Sequence, residues 1–269
     1  MSPVAPDTEI DQRLVLAKSL ASEAGKLALG YFQSLGDLVI ESKGIQDMVS
    51  NADLEVESFV RQRLAEVFPE DGIVGEEHAN VESRSGYTWV IDPIDGTANF
   101  VAGIPAWCVI LACVHEDQTK VAAIYEPCHQ ELFWAATGHG AHLNNQEISV
   151  SQTPGLNIGN TGVGMNGRTS TDLVTRFISR LVDRGGLFYR NASGGLMLAY
   201  VAAGRLIAYV EPHMNAWDCL AGQLLIAEAG GCIETQSANQ MLIDGGRVVA
   251  SGPIIFDELV VMADQSFAE

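Results

Sequence analysis

The 269-residue sequence carries 34 acidic and 15 basic side chains, which gives a formal net charge of −19. This charge argues against nonspecific binding to nucleic acid and against attachment to an anionic membrane surface, because both attract basic proteins. The length fits one large domain or two closely packed lobes, and the 47% of apolar residues are enough for a sizeable core.

The first half of the chain predicts two helices followed by an antiparallel sheet. Apolar and small residues recur at steps of three and four over 10–31 and over 56–67, as on the buried face of a helix. Between them lie a short strand at Leu38–Ile40 and a polar, turn-rich stretch at Lys43–Asp53. Further β-forming segments follow at 72–75, 89–91, 107–114, 120–125, 131–134 and 140–143. We therefore predict an α+β lobe over residues 1–150.

The second half changes to alternating strands and helices, which predicts an α/β lobe over residues 151–269. It opens with a Gly-rich loop at Thr161–Arg168, which lacks the spacing of a phosphate-binding P-loop and is a weak signal alone. Predicted helices follow at 171–182, 196–203, 217–229 and from 254, with strands at 187–190, 206–210 and 248–250.

The five cysteines are scattered and form no CxxC pair, which is typical of a reduced compartment. The first seven residues have neither the basic start nor the apolar run of a secretory signal, and no apolar run is long enough to span a bilayer. We therefore predict a cytoplasmic protein.

The segment Trp89–Phe100 contains two carboxylates close to the end of a β-forming run. Pro93 is predicted to stop the strand between Asp92 and Asp95, and Gly96 permits a tight turn. Two buried carboxylates repel each other unless a proton or a cation neutralises them, and clustered oxygens suit Mg²⁺. The alternative is an ordinary Asp-Pro turn, which we would favour if the dipeptide stood alone.

Three further acidic positions have a structural and a functional interpretation. Asp53 lies at the predicted start of the second helix, where it would cap the helix and complement its dipole. Glu76-Glu77 follow a strand, as Asp92 does, and in extended chain only one of the two faces inward. Asp218 opens a helix after a strand that is predicted to end at Glu211. A cap or a surface pair is the alternative at each position.

Taken together, these segments resemble the motifs of the inositol monophosphatase family. Trp89–Phe100 and Trp217–Gly222 match its two sequence motifs, while Glu76-Glu77 and the stretch Asp47–Asp53 match its other acidic elements in the same order. The similarity covers nearly the whole chain. It implies a layered αβαβα sandwich, Mg²⁺ as cofactor, sensitivity to lithium and a homodimer.

The resemblance also implies roles for individual residues. Thr97 and Glu76 would position the attacking water, with Asp53 hydrogen-bonded to Thr97, and Glu211 would contact substrate hydroxyl groups. The amides of Gly96 and Thr97 would hold the phosphate. The implied metal ligands are Glu76, Asp92, the backbone carbonyl of Ile94, Asp95 and Asp218. The implied substrate contacts are Ile94, Asp95, Gly96, Thr97, Ser193, Glu211 and Asp218.

The implied reaction is hydrolysis of inositol monophosphate to inositol and phosphate by direct attack of a metal-activated water. One departure concerns the substrate pocket: this chain has Ala192–Gly195 and Met197 where many relatives carry Gly-Ser-Ala-Ala and then an acidic or amide residue. Histidinol-phosphate phosphatase, or another small-molecule phosphatase of the family, is therefore an alternative. A further alternative is a regulatory member with a vestigial site that binds RNA polymerase or another protein.

Overall fold

The structure is a computed structural model that describes residues 8–44, 47–167 and 169–268, with only the backbone for Thr8, Asp37, residues 41–44 and residues 47–49. The predictions for residues 1–7, the Asp47 side chain and Arg168 lie outside the described residues. The helices are α1 Thr8–Phe32, α2 Asn51–Val67, α3 Thr97–Val101, α4 Thr171–Asp183, α5 Gly194–Ala202, α6 Ala216–Glu228, α7 Ala238–Asp244 and α8 Phe256–Phe267. A short 3₁₀ turn at Leu35–Asp37 follows α1.

Fourteen strands occur in the described residues and form three sheets. They are β1 Ile40–Gly44, β2 Asp47–Ser50, β3 Gly72–Gly75, β4 Thr88–Asp95, β5 Cys108–His115, β6 Gln118–Glu126, β7 Glu131–Ala136, β8 Ala141–Leu143, β9 Gln146–Ile148, β10 Asn160–Val163, β11 Leu187–Tyr189, β12 Ala208–Met214, β13 Cys232–Ile233 and β14 Gly246–Ser251.

The larger sheet has seven strands in chain order from β3 to β9, and it is antiparallel except for the parallel pair β3–β4. Alternate side chains of each strand face opposite sides of the sheet. On β4, Trp89 and Ile91 pack in a core with α1 and α2, while Val90 packs on the opposite side with α5 and α6. Both faces of this sheet are therefore covered by helices.

The second sheet has the order β11-β10-β12-β14-β13, with β10 parallel to both its neighbours. On β12, Tyr209 faces α5 and α6, whereas Ala208 and Val210 face α4 and α8. The layers are thus helix, sheet, helix, sheet, helix, and the predicted αβαβα sandwich is confirmed. Helix α6 packs against both sheets, so the two predicted lobes are joined by a common helix layer. The division of the chain at residue 150 stays a prediction.

Two strands continue through a proline beyond the points where they were predicted to end, which were Pro93 and Glu211. β4 continues past Pro93 to Asp95, with a register shift against β5 between Asp92 and Asp95. β12 continues past Pro212 to Met214, with a similar shift between Glu211 and Met214. Proline lacks an N–H group, but a bulge leaves that position outside the ladder, so the strand survives and changes direction there. Both prolines lie beside predicted site residues.

Two smaller expectations also differ from the structure. The stretch 43–53 was described only as polar and turn-rich, without a strand, but β1 and β2 pair there in antiparallel orientation. Thr161–Val163 was assigned to a Gly-rich loop, but it belongs to β10, and only the residues after Val163 leave the sheet. Across 8–44, 47–167 and 169–268 we find no helical segment with the length and apolarity that a bilayer-spanning helix requires.

Candidate active site

Asp92 is only 1% exposed, and the acidic side chains near it come from its own strand β4, from the turn after β3 and from the starts of α2 and α6. Burial raises the pKa of Asp92 well above its usual range, and the negative charges of Glu76, Asp95, Asp218 and Asp53 raise it further. The structure therefore brings together five of the acidic residues that the sequence singled out, namely Asp53, Glu76, Asp92, Asp95 and Asp218. Of the pair Glu76-Glu77, it is Glu76 whose charge acts on Asp92, which agrees with one glutamate facing inward.

The bulge at Pro93 shapes the floor of this cluster. The amide of Ile94 donates to Oδ1 of Asp92 at 3.0 Å, so the carboxylate closes an Asx turn around the proline. The carbonyl oxygen of Ile94 accepts from the Thr97 hydroxyl at 3.0 Å. Gly96 follows with φ of 96°, a left-handed conformation that favours glycine, and it caps the short helix α3.

Asp95 is held by the start of α5, about a hundred residues later in the chain. The Ser193 hydroxyl and the Gly195 amide donate to its Oδ2 at 2.6 and 2.8 Å, and the Gly194 amide donates to Oδ1 at 3.1 Å. A helix N-terminus stabilises a negative charge. Burial raises the pKa of Asp95, and these donors oppose that rise. Ser193, predicted to contact substrate, is fully buried with its hydroxyl on Asp95.

Asp53 caps its helix and also contacts the site. One carboxylate oxygen accepts from the amide and the hydroxyl of Ser50 at 2.9 and 2.6 Å, which completes a capping box. The other accepts from the Thr97 hydroxyl at 3.2 Å. Burial raises the pKa of Asp53. The structural and functional interpretations of Asp53 are therefore compatible, because each uses a different oxygen.

Asp218 has the same position at the start of α6. It is the third residue of the helix, and its Oδ2 accepts from the backbone amide of Asn215 at 3.2 Å. Capping therefore explains one oxygen of Asp218, and the negative charge of Asp218 also acts on Asp92.

Glu211 lies at the bulge of β12, buried beside Tyr209 and Asn166. The Tyr209 hydroxyl donates to its Oε2 at 2.5 Å and the Asn166 amide donates to its Oε1 at 3.2 Å. Burial raises the pKa of Glu211 to about 7, opposed by the bond from Tyr209. Sequence reasoning missed Asn166. The sequence signal that could have found it is Gly164, two residues earlier in the Gly-rich loop. A Cβ added at Gly164 would lie 2.1 Å from Oε2 of Glu211, so this loop packs directly on the carboxylate.

The donor set fits a hard divalent cation. Carboxylates and one backbone carbonyl are the oxygen ligands that Mg²⁺ prefers, and an ion would relieve the repulsion centred on Asp92. Among the residues that the structure describes, no three His, Cys, Asp or Glu side chains already lie in the arrangement of a metal centre. The chemistry of the donors therefore supports Mg²⁺, and the assignment of individual ligands stays a prediction.

Comparison with known proteins identifies relatives along nearly the whole chain. A sequence model of the inositol monophosphatase family matches residues 9–266. The Nus factor SuhB of Pseudomonas aeruginosa is 32% identical over 254 residues, 92% of this chain and 94% of the relative. The crystal structure of the extragenic suppressor protein suhB from Bartonella henselae has a TM-score of 0.88 at 27% identity, over 95% of this chain and 98% of that one. An IMPase of Thermotoga maritima has a TM-score of 0.84 at 29% identity, with the same coverage.

Proposed function

The chain belongs to the inositol monophosphatase family, and we propose that within it the protein is a Mg²⁺-dependent phosphomonoesterase that hydrolyses inositol monophosphate to inositol and phosphate. The observation that carries this proposal is the convergence of Glu76, Asp95, Asp218 and Asp53 on the buried Asp92. Such a cluster is unfavourable for folding and favourable for binding a divalent cation and, through it, a dianionic ester.

The residues that would hold Mg²⁺ are Glu76, Asp92, the carbonyl of Ile94, Asp95 and Asp218. When bound, the cation neutralises phosphoryl oxygens, lowers the pKa of a water and stabilises the leaving alkoxide. Uncatalysed hydrolysis of phosphate monoesters is among the slowest reactions known, with enzymatic accelerations up to about 10²¹, so charge neutralisation and positioning are the main requirements.

The protein's own contribution is to orient water and phosphate. The Thr97 hydroxyl has acceptors for its proton in Asp53 and in the Ile94 carbonyl, so its lone pairs are left to accept a hydrogen bond from water. Thr97 also begins α3, and amides in a first helical turn have no acceptor within their helix. Together with Gly96 it is suited to bind a phosphoryl oxygen.

The alcohol part of the substrate would contact Glu211. In its ionised form this carboxylate accepts hydrogen bonds from hydroxyl groups, and Tyr209 and Asn166 orient it. A polyol phosphate fits such a site. Histidinol phosphate is the second candidate, because its ammonium group would also pair with a carboxylate.

The test is phosphate release in the presence of Mg²⁺ from inositol 1-phosphate and histidinol phosphate, each with and without Li⁺. We expect faster turnover of the inositol ester, inhibition by Li⁺ and no activity after chelation of the metal. Preference for histidinol phosphate would reassign the substrate. Absence of turnover with any phosphomonoester, by protein shown to be folded, would overturn the enzymatic proposal.

A regulatory function is the second candidate, and the names of the relatives favour it. Curated relatives in several bacteria, including Escherichia coli at 32% identity over 89% of this chain, are called Nus factor SuhB. The two functions can be separated by complementation: a strain of the source organism that lacks the gene is supplied with either the parent or the Asp92→Asn variant. If the inactive variant restores the parent phenotype, the physiological function does not depend on catalysis.

We also propose a cytoplasmic homodimer. All five cysteines are free thiols, as expected in a reducing compartment. The edge strand β11 leaves Leu187 and Phe188 63% and 52% exposed, and an apolar open edge favours pairing with another chain. Light scattering should give twice the chain mass, and Leu187→Glu should shift the protein towards the monomer. A monomeric parent at micromolar concentration would contradict the dimer.

A further inference from the structure

Glu57 is a buried carboxylate in the middle of α2, one helical turn after Asp53. Its side chain has no exposure to solvent. Glutamate is almost never fully buried unless it is paired, because removing the charge from water is costly. The partners of Glu57 therefore indicate its function, and they lie in the turn that follows β3, directly after Glu76.

The carboxylate of Glu57 binds two consecutive backbone amides of that turn. The amide of Glu77 donates to Oε2 at 2.8 Å, and the amide of His78 donates to Oε1 at 3.2 Å. Hydrogen bonds between backbone amides and a charged acceptor are roughly twice as strong as those between neutral groups. The backbone immediately after Glu76 is therefore fixed to α2.

Arg61 completes this contact from the next turn of the same helix. Its Nε donates to Oε1 of Glu57 at 2.7 Å, while its terminal nitrogens donate to the carbonyls of Ala79 and His78 at 2.9 and 3.1 Å. The guanidinium group thus pairs the buried carboxylate and also binds the turn. Lysine has the charge but lacks the planar fork needed for these three contacts.

Gly75 fixes the backbone on the other side of Glu76. A Cβ at this position would lie 2.2 Å from Oε1 of Glu57 and 2.9 Å from Nη2 of Arg61. No side chain fits there, so the strand end lies directly against the ion pair. Contacts at residue 75 and at residues 77–79 thus enclose Glu76 between two fixed segments.

A second ion pair on α2 provides a comparison for the pair Glu57–Arg61. Arg63 and Glu66 are paired at 3.0 Å with both side chains more than 40% exposed. Glu66 also accepts from Gln62 on the same helix. Such an exposed pair contributes little beyond helix stability. The pair Glu57–Arg61 is buried and binds a different element.

We propose that Glu57 and Arg61 are positioning residues for Glu76: they fix the backbone of residues 77–79 so that the Glu76 carboxylate faces Asp92, and thereby set the affinity of the site for a divalent cation. This inference rests on the proposed function. It makes α2 a two-point support, with Asp53 oriented towards Thr97 and Glu57 towards the turn that carries Glu76.

The experiment measures Mn²⁺ binding to the metal-free protein by calorimetry, without substrate. We expect Glu57→Gln and Arg61→Lys to weaken Mn²⁺ binding about tenfold or more, as is typical when a partner of a metal ligand is changed. The matched controls Glu66→Gln and Arg63→Lys should bind within about twofold of the parent, because their pair is exposed to solvent and lies within a single helix.

Hydrogen exchange supplies a second readout that does not involve the metal. In the metal-free Glu57→Gln protein, the amides of Glu77 and His78 should exchange at least about tenfold faster than in the parent, while those of β5 stay protected. If Glu57→Gln does not fold, Arg61→Lys decides the outcome by the same two measurements. In activity assays, the variants should need a higher Mg²⁺ concentration for half-maximal activity than the parent. Their kcat at saturating Mg²⁺ should be closer to that of the parent.

The outcomes separate this inference from the proposed function. If the parent binds Mn²⁺ and both folded variants bind it equally well, the positioning role is overturned, even where the melting temperature falls. If the parent binds no Mn²⁺, the proposed function fails and this inference fails with it.

Discussion

Asp92 and Asp95 lie three residues apart on β4, and both are buried, but their environments are opposite. Asp95 accepts hydrogen bonds from the Ser193 hydroxyl and from the first amides of α5. Asp92 accepts one from the Ile94 amide and is surrounded by negative charges. The pKa of Asp92 is raised by burial and by its neighbours, whereas that of Asp95 is raised by burial and lowered by its donors.

The difference separates two ways of keeping a carboxylate inside a protein. Asp95 is oriented by the fold alone, because helix dipole and hydroxyl stabilise its charge. Among the residues that the structure describes, no donors comparable to those of Asp95 reach Asp92, so its charge calls for a proton or a cation. We therefore expect mutations of the two residues to have similar effects on catalysis and opposite effects on the stability of the metal-free protein.

The largest effect is expected for Asp92→Asn. Activity should fall more than about a hundredfold, since a metal ligand matters at least as much as its outer partners. The metal-free protein should melt a few degrees higher, because the substitution removes a repelled charge, and about 1 kcal/mol shifts the melting temperature of such a chain by about 2–4 °C. Phosphate release and thermal unfolding in EDTA measure the two effects. Near-normal turnover would contradict the ligand assignment.

Asp95→Asn should be comparably inactive but less stable. The Ser193 hydroxyl and the Gly195 amide both donate to Oδ2 of Asp95. In the variant they would face either an NH₂ group, which cannot accept, or an uncharged oxygen, which accepts more weakly, and this costs about 1–3 kcal/mol. The measurement is urea unfolding in EDTA, with Asp92→Asn in parallel. A stability change of the same sign in both variants would remove the distinction between the two carboxylates.

Glu211 predicts how stability depends on pH. Its folded pKa of about 7 lies above the ordinary value of 4.5, so the folded state binds more protons than the unfolded state between these pH values. Stability of the metal-free protein should therefore fall as pH rises from about 4.5 through about 7, with a contribution from Glu211 of about 3 kcal/mol at most. The buried Asp53, Asp92 and Asp95 act in the same direction.

Glu211→Gln isolates this contribution, because the amide does not titrate. Urea unfolding at pH 5 and pH 8 should give a smaller difference for the variant than for the parent. An unchanged difference would show that Glu211 has a normal pKa in the folded protein.

The smallest effect is expected for Ser193→Ala. It removes one donor from Asp95 while the amides of Gly194 and Gly195 remain, so we expect a loss of about 1–2 kcal/mol and a decrease in activity of up to about tenfold. Ser170→Ala is the matched control: Ser170 caps α4 through the Asp172 amide, so its loss should cost about 1 kcal/mol without changing activity. Equal activity of the two variants would show that Ser193 has no influence on Asp95.

Local sequence signals predicted most of the site. A capping residue before an apolar helix marked Asp53, and β-forming runs that end in acidic residues marked Glu76 and Asp92. These signals depend on residues a few positions apart, and local physics decides them. The family resemblance supplied the order of the layers, which composition and periodicity did not determine.

The features that were missed depend on contacts distant in the chain. Glu57 and Arg61 have the i,i+4 spacing of an ordinary surface pair, and their burial against the turn after β3, twenty residues away, is visible only in the folded structure. Pro93 was expected to end β4, because the bulge opposite β5 cannot be recognised from the proline alone. In both cases tertiary packing overrides the local preference.

The hydrogen bonds from the start of α5 to Asp95 have a consequence for the synthesis of the chain. The donors that stabilise this carboxylate are translated about a hundred residues after it. A nascent chain that has completed the seven-stranded sheet therefore carries both acidic residues at the end of β4 without the helix that orients one of them. Contacts of such long sequence separation form late in folding. The site is thus completed only when the second sheet and its helices have docked, and a chain released early should fold in part yet have no functional centre.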